Sequence, residues 1–195
     1  MNIVIFILRL MKTKIEFDFE MVMGVIEYTR RLRFGGQKFS RAVFIEKAIE
    51  KTSNLNYVGL DDTLGHDFVT KELWRLEAKG VDNLFQTDIT NNTKAIILKN
   101  FQGTVNNNFP EKKFDEMILL DQTQRHVGIV SFENALKRFD PEKNVSKSGL
   151  KIVIDKRDVE YLAKNVSLAH KKQVKELYHE IVDELYKWED ESDEW

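Results

Sequence analysis

"LGHDFVTKELWRLEAKG", residues 64–80, is the stretch on which the reading of this chain turns. The polar segment Thr70-Lys71-Glu72 separates an acid, Asp67, from an alternating run in which Arg75, Glu77 and Lys79 are the polar members. Side chains of a strand point to alternate faces. The pattern therefore predicts two short strands, 65–69 and 73–79, joined as a hairpin, with Glu77 and Lys79 on one face. A hairpin centred near Glu72 sets Asp67 opposite Glu77, and a slip of one residue would undo that placement. Two interpretations are open: a solvated strand face with a cross-strand ion pair, or a site where two carboxylates and an ammonium converge.

Upstream of the hairpin, 18–34 has helical periodicity and stops at Gly35-Gly36. Ser40 is placed to cap a second helix, 41–53, with Val43, Phe44, Ala48 and Ile49 on one stripe and Glu46 and Glu50 one turn apart. Downstream, 94–100 reads as a buried strand, 115–121 and 126–132 as a hairpin about Gln122 to Arg125, and 132–139 as a helical turn or two. Residues 149–155 read as a strand and 156–165 as a helix. The final helix, 167–188, carries Val174, Leu177, Tyr178, Ile181, Leu185 and Trp188 along one stripe. This order predicts an α/β (α+β) protein with a central mixed β-sheet flanked by helices.

A length of 195 residues fits one domain, 1–195, divided into an N-terminal extension (1–39), a core (40–139) and a C-terminal strand with helices (140–195). Thirteen Phe and 42% hydrophobic residues supply a core, and 32% charged residues supply a solvated surface. The absence of cysteine excludes disulfides and thiolate zinc sites and fits a reducing, cytoplasmic setting. The opening "MNIVIFILRL" is shorter than the roughly 20 residues a bilayer span needs, so no membrane association is expected. It reads as an added strand or as an extension ahead of a start at Met11.

A net charge of −2 argues against a uniformly basic nucleic-acid binder. Charge is uneven, however. Taking the five acids of the tail "WEDESDEW" from the 32 in the chain leaves 27 against 30 bases, with clusters at Arg30-Arg31-Arg33, from Lys137 to Lys151 and at Lys171-Lys172-Lys175. No glycine-rich phosphate loop follows a strand, so no nucleotide-cofactor site is expected, and the four histidines lack metal-ligand spacing.

The Asp67 of "HDF", the "EAK" triplet that follows and the acid-bearing helix before them resemble the PD-(D/E)XK nuclease superfamily, the fold of many type II restriction endonucleases. The resemblance covers about residues 40–131 and departs from the pattern at His66, where the motif has proline. It implies a restriction-endonuclease-like core, with Asp67 and Glu77 as metal-binding carboxylates, Lys79 as the catalytic lysine, and Glu46 or Glu50 as the helix acid. A second Glu-x-Lys triplet, Glu111 to Lys113, lies in a polar loop after Pro110 without strand alternation. Asp61 and Asp62 could replace Asp67, although acids there also suit a turn.

The implied function is a Mg²⁺-dependent endodeoxyribonuclease, Mn²⁺ substituting, which cuts a short double-stranded DNA site as a homodimer. The residue types suit that chemistry. Hard cations prefer oxygen ligands, a bound metal activates water, and an ammonium stabilises charge on the reacting phosphate. Gln122, Gln124, Arg125 and Asn107 are candidates for contact with DNA, since amide and guanidinium groups read base edges. The alternatives are a repair or recombination nuclease of the same fold, or a non-catalytic DNA-binding or protein-interaction module.

Overall fold

The computed structural model describes residues 15–32, 39–59, 65–81, 93–98, 105–106, 109–140, 145–146 and 149–192. Helix α1 (Phe19–Arg31) begins where the Asp18 carboxylate accepts from the Met21 N–H at 2.9 Å. Glu20 in its first turn and Arg30 and Arg31 in its last suit the helix dipole. Its buried face carries Val22, Met23, Val25 and Ile26. A Cβ at Gly24 would come within 2.5 Å of Val174 Cγ2, so the bare backbone lets α1 lie close to the last helix. Helix α2 (Arg41–Thr52) follows Ser40, which stands at the N-cap without a side-chain bond. Beyond the expected Phe44, Ala48 and Ile49, it also buries Ile45, Glu46 and Lys47.

The strands β1 (Asn56–Tyr57), β2 (Phe68–Val69), β3 (Arg75–Val81), β7 (Glu116–Asp121), β8 (His126–Ser131) and β11 (Glu160–Ala163) form a six-stranded sheet in the order β1-β2-β3-β7-β8-β11. All neighbours pair antiparallel except β3 and β7, which run parallel from Leu76↔Glu116 to Val81↔Asp121. Between those two the chain gives β4 (Thr93–Leu98), β5 (Val105–Asn106) and β6 (Phe109–Pro110). Strand β4 pairs with β10 (Gly149–Asp155) and β10 with β9 (Val145–Ser146) in a second, three-stranded sheet, while β5 and β6 pair with each other.

Alternation divides the large sheet into two faces with separate cores. Leu76, Ala78, Ile118, Leu120 and Val127 pack with α1, α2 and α4 (Lys171–Ser192). Val81, Met117, Leu119 and Val130 pack with Ile152 and Ile154 of β10 and with Phe132 and Ala135 of the one-turn helix α3 (Phe132–Ala135). The fold is a mixed α/β arrangement. The expectation of helices flanking the sheet holds on one face, whereas on the other Ile152 and Ile154 of β10, from the second sheet, share the cover with Phe132, Ala135 and Leu136.

A second difference lies at 156–165, expected as a helix. Lys156–Asp158 form a single 3-10 turn and Glu160–Ala163 the edge strand β11, with a register shift between Tyr161 and Ala163. Pairing with β8 overrides the local helix preference of Glu160, Leu162 and Ala163. Helix α1 ends at Arg31, with 33–38 outside the described residues, and α4 starts at Lys171, burying Val174, Tyr178, Ile181 and Leu185. The opening "MNIVIFILRL" also lies outside them.

The turn between β2 and β3 places Leu73 at φ 62° with its side chain 79% exposed. The Thr70 N–H donates to the Trp74 carbonyl and the Leu73 N–H to the Thr70 carbonyl, both at 2.9 Å. A left-handed conformation costs an ordinary L-residue about 1–2 kcal/mol, and glycine's extra freedom in the unfolded chain offsets part of that. Leu73→Gly should therefore raise stability by about 0.5–1 kcal/mol, read as a higher urea midpoint with an unchanged slope. A lower midpoint would show that the exposed leucine has a stabilising contact.

Candidate active site

The hairpin that carries the site has the register its polar turn implies. Phe68 pairs with Leu76 and Val69 with Arg75, and the regular pairing ends there. The Asp67 N–H donates to the Leu76 carbonyl at 2.9 Å, and Asp67 Oδ2 accepts from the Ala78 N–H at 2.7 Å. By alternation Glu77 and Lys79 share the face of β3 that also bears Val81, and the charge of Asp67 acts on both. Parallel pairing brings Met117 beside Glu77 and Leu119 beside Lys79.

This is not a solvated strand face. Glu77 is 6% exposed and Asp67 9%. Lys79 is half-buried and its Nζ forms an ion pair with Glu77 Oε1. Burial and then the Asp67 charge push the Glu77 carboxyl up to about 8, and the Lys79 ammonium pulls the other way without overcoming them. Burial opposes the charge on Lys79, but Glu77, Asp67 and Glu46 outweigh it and raise the affinity of the ammonium for its proton. Buried carboxylates so close in charge cost folding free energy, and such arrangements concentrate at functional sites.

Helix α2 distinguishes its two acids. Glu50 Oε2 is bound to the buried Lys47 Nζ at 2.6 Å, and Lys47 also pairs with Glu184 at 2.7 Å. Glu46, 8% exposed, accepts from the Tyr57 hydroxyl at 2.9 Å and exerts its charge on both Glu77 and Lys79. Glu46 is therefore the helix acid that joins the cluster, and Glu50 belongs to the packing of α2 on α4. Tyr57 went unnoticed in the sequence, since a two-residue strand shows no periodicity. Burial and the Glu46 carboxylate hold its phenol well above the ordinary range, so it remains a donor.

No family model matches this chain, and no curated protein matches it.

Arg75, the first polar residue of the alternation, is structural. Its backbone N–H and Nε donate to Asp115 Oδ2 at 2.9 and 3.2 Å, and Nη1 donates to the Lys112 carbonyl at 2.9 Å. The remaining candidates separate. Gln122 is 7% exposed, Gln124 is half-buried with its N–H on the Asp121 carboxylate at 3.0 Å, and Arg125 is exposed. Asn107, Asp61 and Asp62 lie outside the described residues. Among the described residues, no three of the His, Asp and Glu side chains are grouped to hold a metal ion. What the hairpin offers a hard cation is a pair of carboxylates. That donor set suits Mg²⁺, which binds through one or two carboxylates and keeps its other positions for water and phosphate oxygens. Among the described residues no helix is long and apolar enough to cross a membrane.

Proposed function

We propose that this chain is a Mg²⁺-dependent endodeoxyribonuclease with a restriction-endonuclease-like core. The observation that carries the reading is the burial, on one hairpin, of two carboxylates and an ammonium beside a helix acid. A binding module has no need to bear that cost, because an ion pair placed for stability sits more cheaply at the surface.

Asp67 and Glu77 would hold the metal, which when bound polarises the scissile phosphate and lowers the pKa of a coordinated water. The Ala78 N–H donates to Asp67 Oδ2 at 2.7 Å and so orients that carboxylate. Lys79 stands where it can release Glu77 and turn its ammonium to the negative charge that grows on the phosphate oxygens. Glu46, held by Tyr57, adds negative charge that favours both the cation and a protonated Lys79. A short site cut on both strands calls for two copies of the chain about a two-fold axis.

Purified protein incubated with phage DNA and Mg²⁺ or Mn²⁺ should give discrete bands. Chelator should stop cleavage, and Ca²⁺ should support binding without cutting, since its looser geometry activates water poorly. A smear would reassign the protein to a non-specific nuclease of the same chemistry. Full activity in chelator, or intact DNA with every metal, would eliminate the proposal.

A further inference from the structure

The two acids one turn apart on α2 are held by different kinds of donor. Glu50 Oε2 takes the Lys47 ammonium at 2.6 Å, whereas Glu46 Oε2 takes the Tyr57 hydroxyl at 2.9 Å. An ammonium offsets the charge of the carboxylate it binds. A phenol hydroxyl fixes a carboxylate in place and leaves its charge intact. Burial, then the Glu46 carboxylate, keep this phenol protonated, and Asp67 acts in the same direction. Tyr57 is thus a neutral donor whose proton is secured by the acids around it.

The ring that carries the hydroxyl is fixed from three sides. Lys47 Nζ stands 4.6 Å from its centroid, a cation over an aromatic face. The Phe68 ring lies 5.6 Å away, centroid to centroid. A Cβ at Gly59 would come within 2.6 Å of Tyr57 Cε2 and 3.0 Å of the hydroxyl oxygen, so bare backbone lets the chain close over the phenol end. Lys47 is itself buried and tethered, to Glu50 at 2.6 Å and to Glu184 of α4 at 2.7 Å. Lys51 Nζ holds the other Glu184 oxygen at 2.5 Å. Strand β1 is also joined to the residue that bears the first carboxylate, since the Val58 N–H donates to the Asp67 carbonyl at 2.8 Å. A tyrosine on a two-residue edge strand needs only water for its hydroxyl. One clamped by a buried ammonium, a second ring and bare backbone, and aimed at a buried acid, has a task beyond packing.

The charge of Glu46 is felt at both Glu77 and Lys79. It therefore also acts on a cation held beside them. We propose that Tyr57 is a positioning residue of the metal centre: fixed by Lys47, Phe68 and Gly59, it holds Glu46 so that the full charge of the helix acid adds to the hold of Asp67 and Glu77 on a divalent cation. The cation named here rests on the nuclease reading. Tyr57 acts only through Glu46, and the line Glu184–Lys47–Tyr57–Glu46 makes α4 part of the support of the site. Groups that orient a metal centre from outside its ligands are worth about 10–100-fold in metal affinity or activity.

The test is Mn²⁺ binding to the metal-free protein without DNA, followed by titration calorimetry on the wild type, Tyr57→Phe, Glu46→Gln and the double variant, alongside Mg²⁺ cleavage of phage DNA by the wild type. Tyr57→Phe keeps the ring for Lys47 and Phe68 and loses only the hydroxyl. It should weaken Mn²⁺ binding about tenfold. Glu46→Gln should weaken it at least as much, and the double variant should bind no more weakly than Glu46→Gln alone, because the hydroxyl works through that carboxylate. Wild-type Mn²⁺ affinity in Tyr57→Phe, whether or not its urea midpoint falls, would overturn the assignment and make Tyr57 a packing residue. Losses that add in the double variant would overturn it as well. Coupled losses of Mn²⁺ affinity beside uncut wild-type DNA would remove the nuclease reading and leave Tyr57 in its role at a metal centre. A wild type that binds no Mn²⁺ would overturn both.

Discussion

Lys79→Ala should bind DNA as the wild type does and cut it at least about 100-fold more slowly. The substitution removes an ammonium that acts on charge developing at the reacting phosphate, and such groups contribute on the order of 10²–10³ in turnover. It leaves Asp67 and Glu77 to hold the cation. Asp67→Asn should abolish cleavage while metal-free DNA affinity holds or rises, since a negative charge facing the phosphates is lost. Asparagine is the informative substitution because its oxygen can still accept from the Ala78 N–H, a bond of 2.7 Å that alanine would forfeit. Single-turnover cleavage and anisotropy on both variants separate chemistry from binding. Wild-type rates in Lys79→Ala would remove this hairpin from any catalytic role.

Glu77→Gln should stabilise the metal-free protein at high pH while destroying its activity. The folded-state proton affinity of Glu77 is raised, to about 8, above that of an ordinary glutamate. The sign follows. A group of this kind contributes its full stability while protonated in both states, below about pH 4.5, and that contribution is lost as pH climbs through about 8. Glutamine mimics the protonated form at every pH, and Lys79 keeps the Asp67 and Glu46 charges as neighbours. In chelator the variant should exceed the wild type by on the order of 2–4 kcal/mol at pH 9 and match it near pH 4.5. Added Mg²⁺ should narrow the gap at pH 9 by stabilising the wild type alone. A variant less stable than the wild type at both pH values would mean that the Lys79 ion pair, not the buried charge, dominates at Glu77.

The hairpin at 65–81 was legible because everything that sets its register is local: a polar turn, an apolar residue on either side and a strict alternation. The β7–β8 hairpin was legible for the same reason, with Asp121 to Arg125 as its turn. What the sequence could not display is which strands meet when they are far apart in the chain. Nothing local in "RLEAKGV" announces β7 as its parallel neighbour, and nothing in "GLKIVID" announces β4. Burial of the acids follows from those distant pairings, so the same three residues read equally well as surface or as site until Met117 is known to lie beside Glu77. The edge strand β11 was misread because its residues suit a helix locally and only β8 decides otherwise. The choice between Glu46 and Glu50 was likewise beyond the sequence, since it depends on Lys47 reaching Glu184 and on Tyr57 reaching back to α2.

The parallel pairing of β3 with β7 also sets an order of events as the chain folds. The β2–β3 hairpin closes over a few residues, an event of microseconds, whereas β7 must return across the span from Val81 to Glu116 before it can dock. Until β7 docks, Glu77 lacks Met117 and Lys79 lacks Leu119 as neighbours. A nascent chain that has left the ribosome only as far as Pro110 holds Glu46, Tyr57, Asp67, Glu77 and Lys79 but lacks the strand that pairs beside Glu77 and Lys79. Enclosure of Glu77 and Lys79 within the sheet therefore requires that β7 has been delivered.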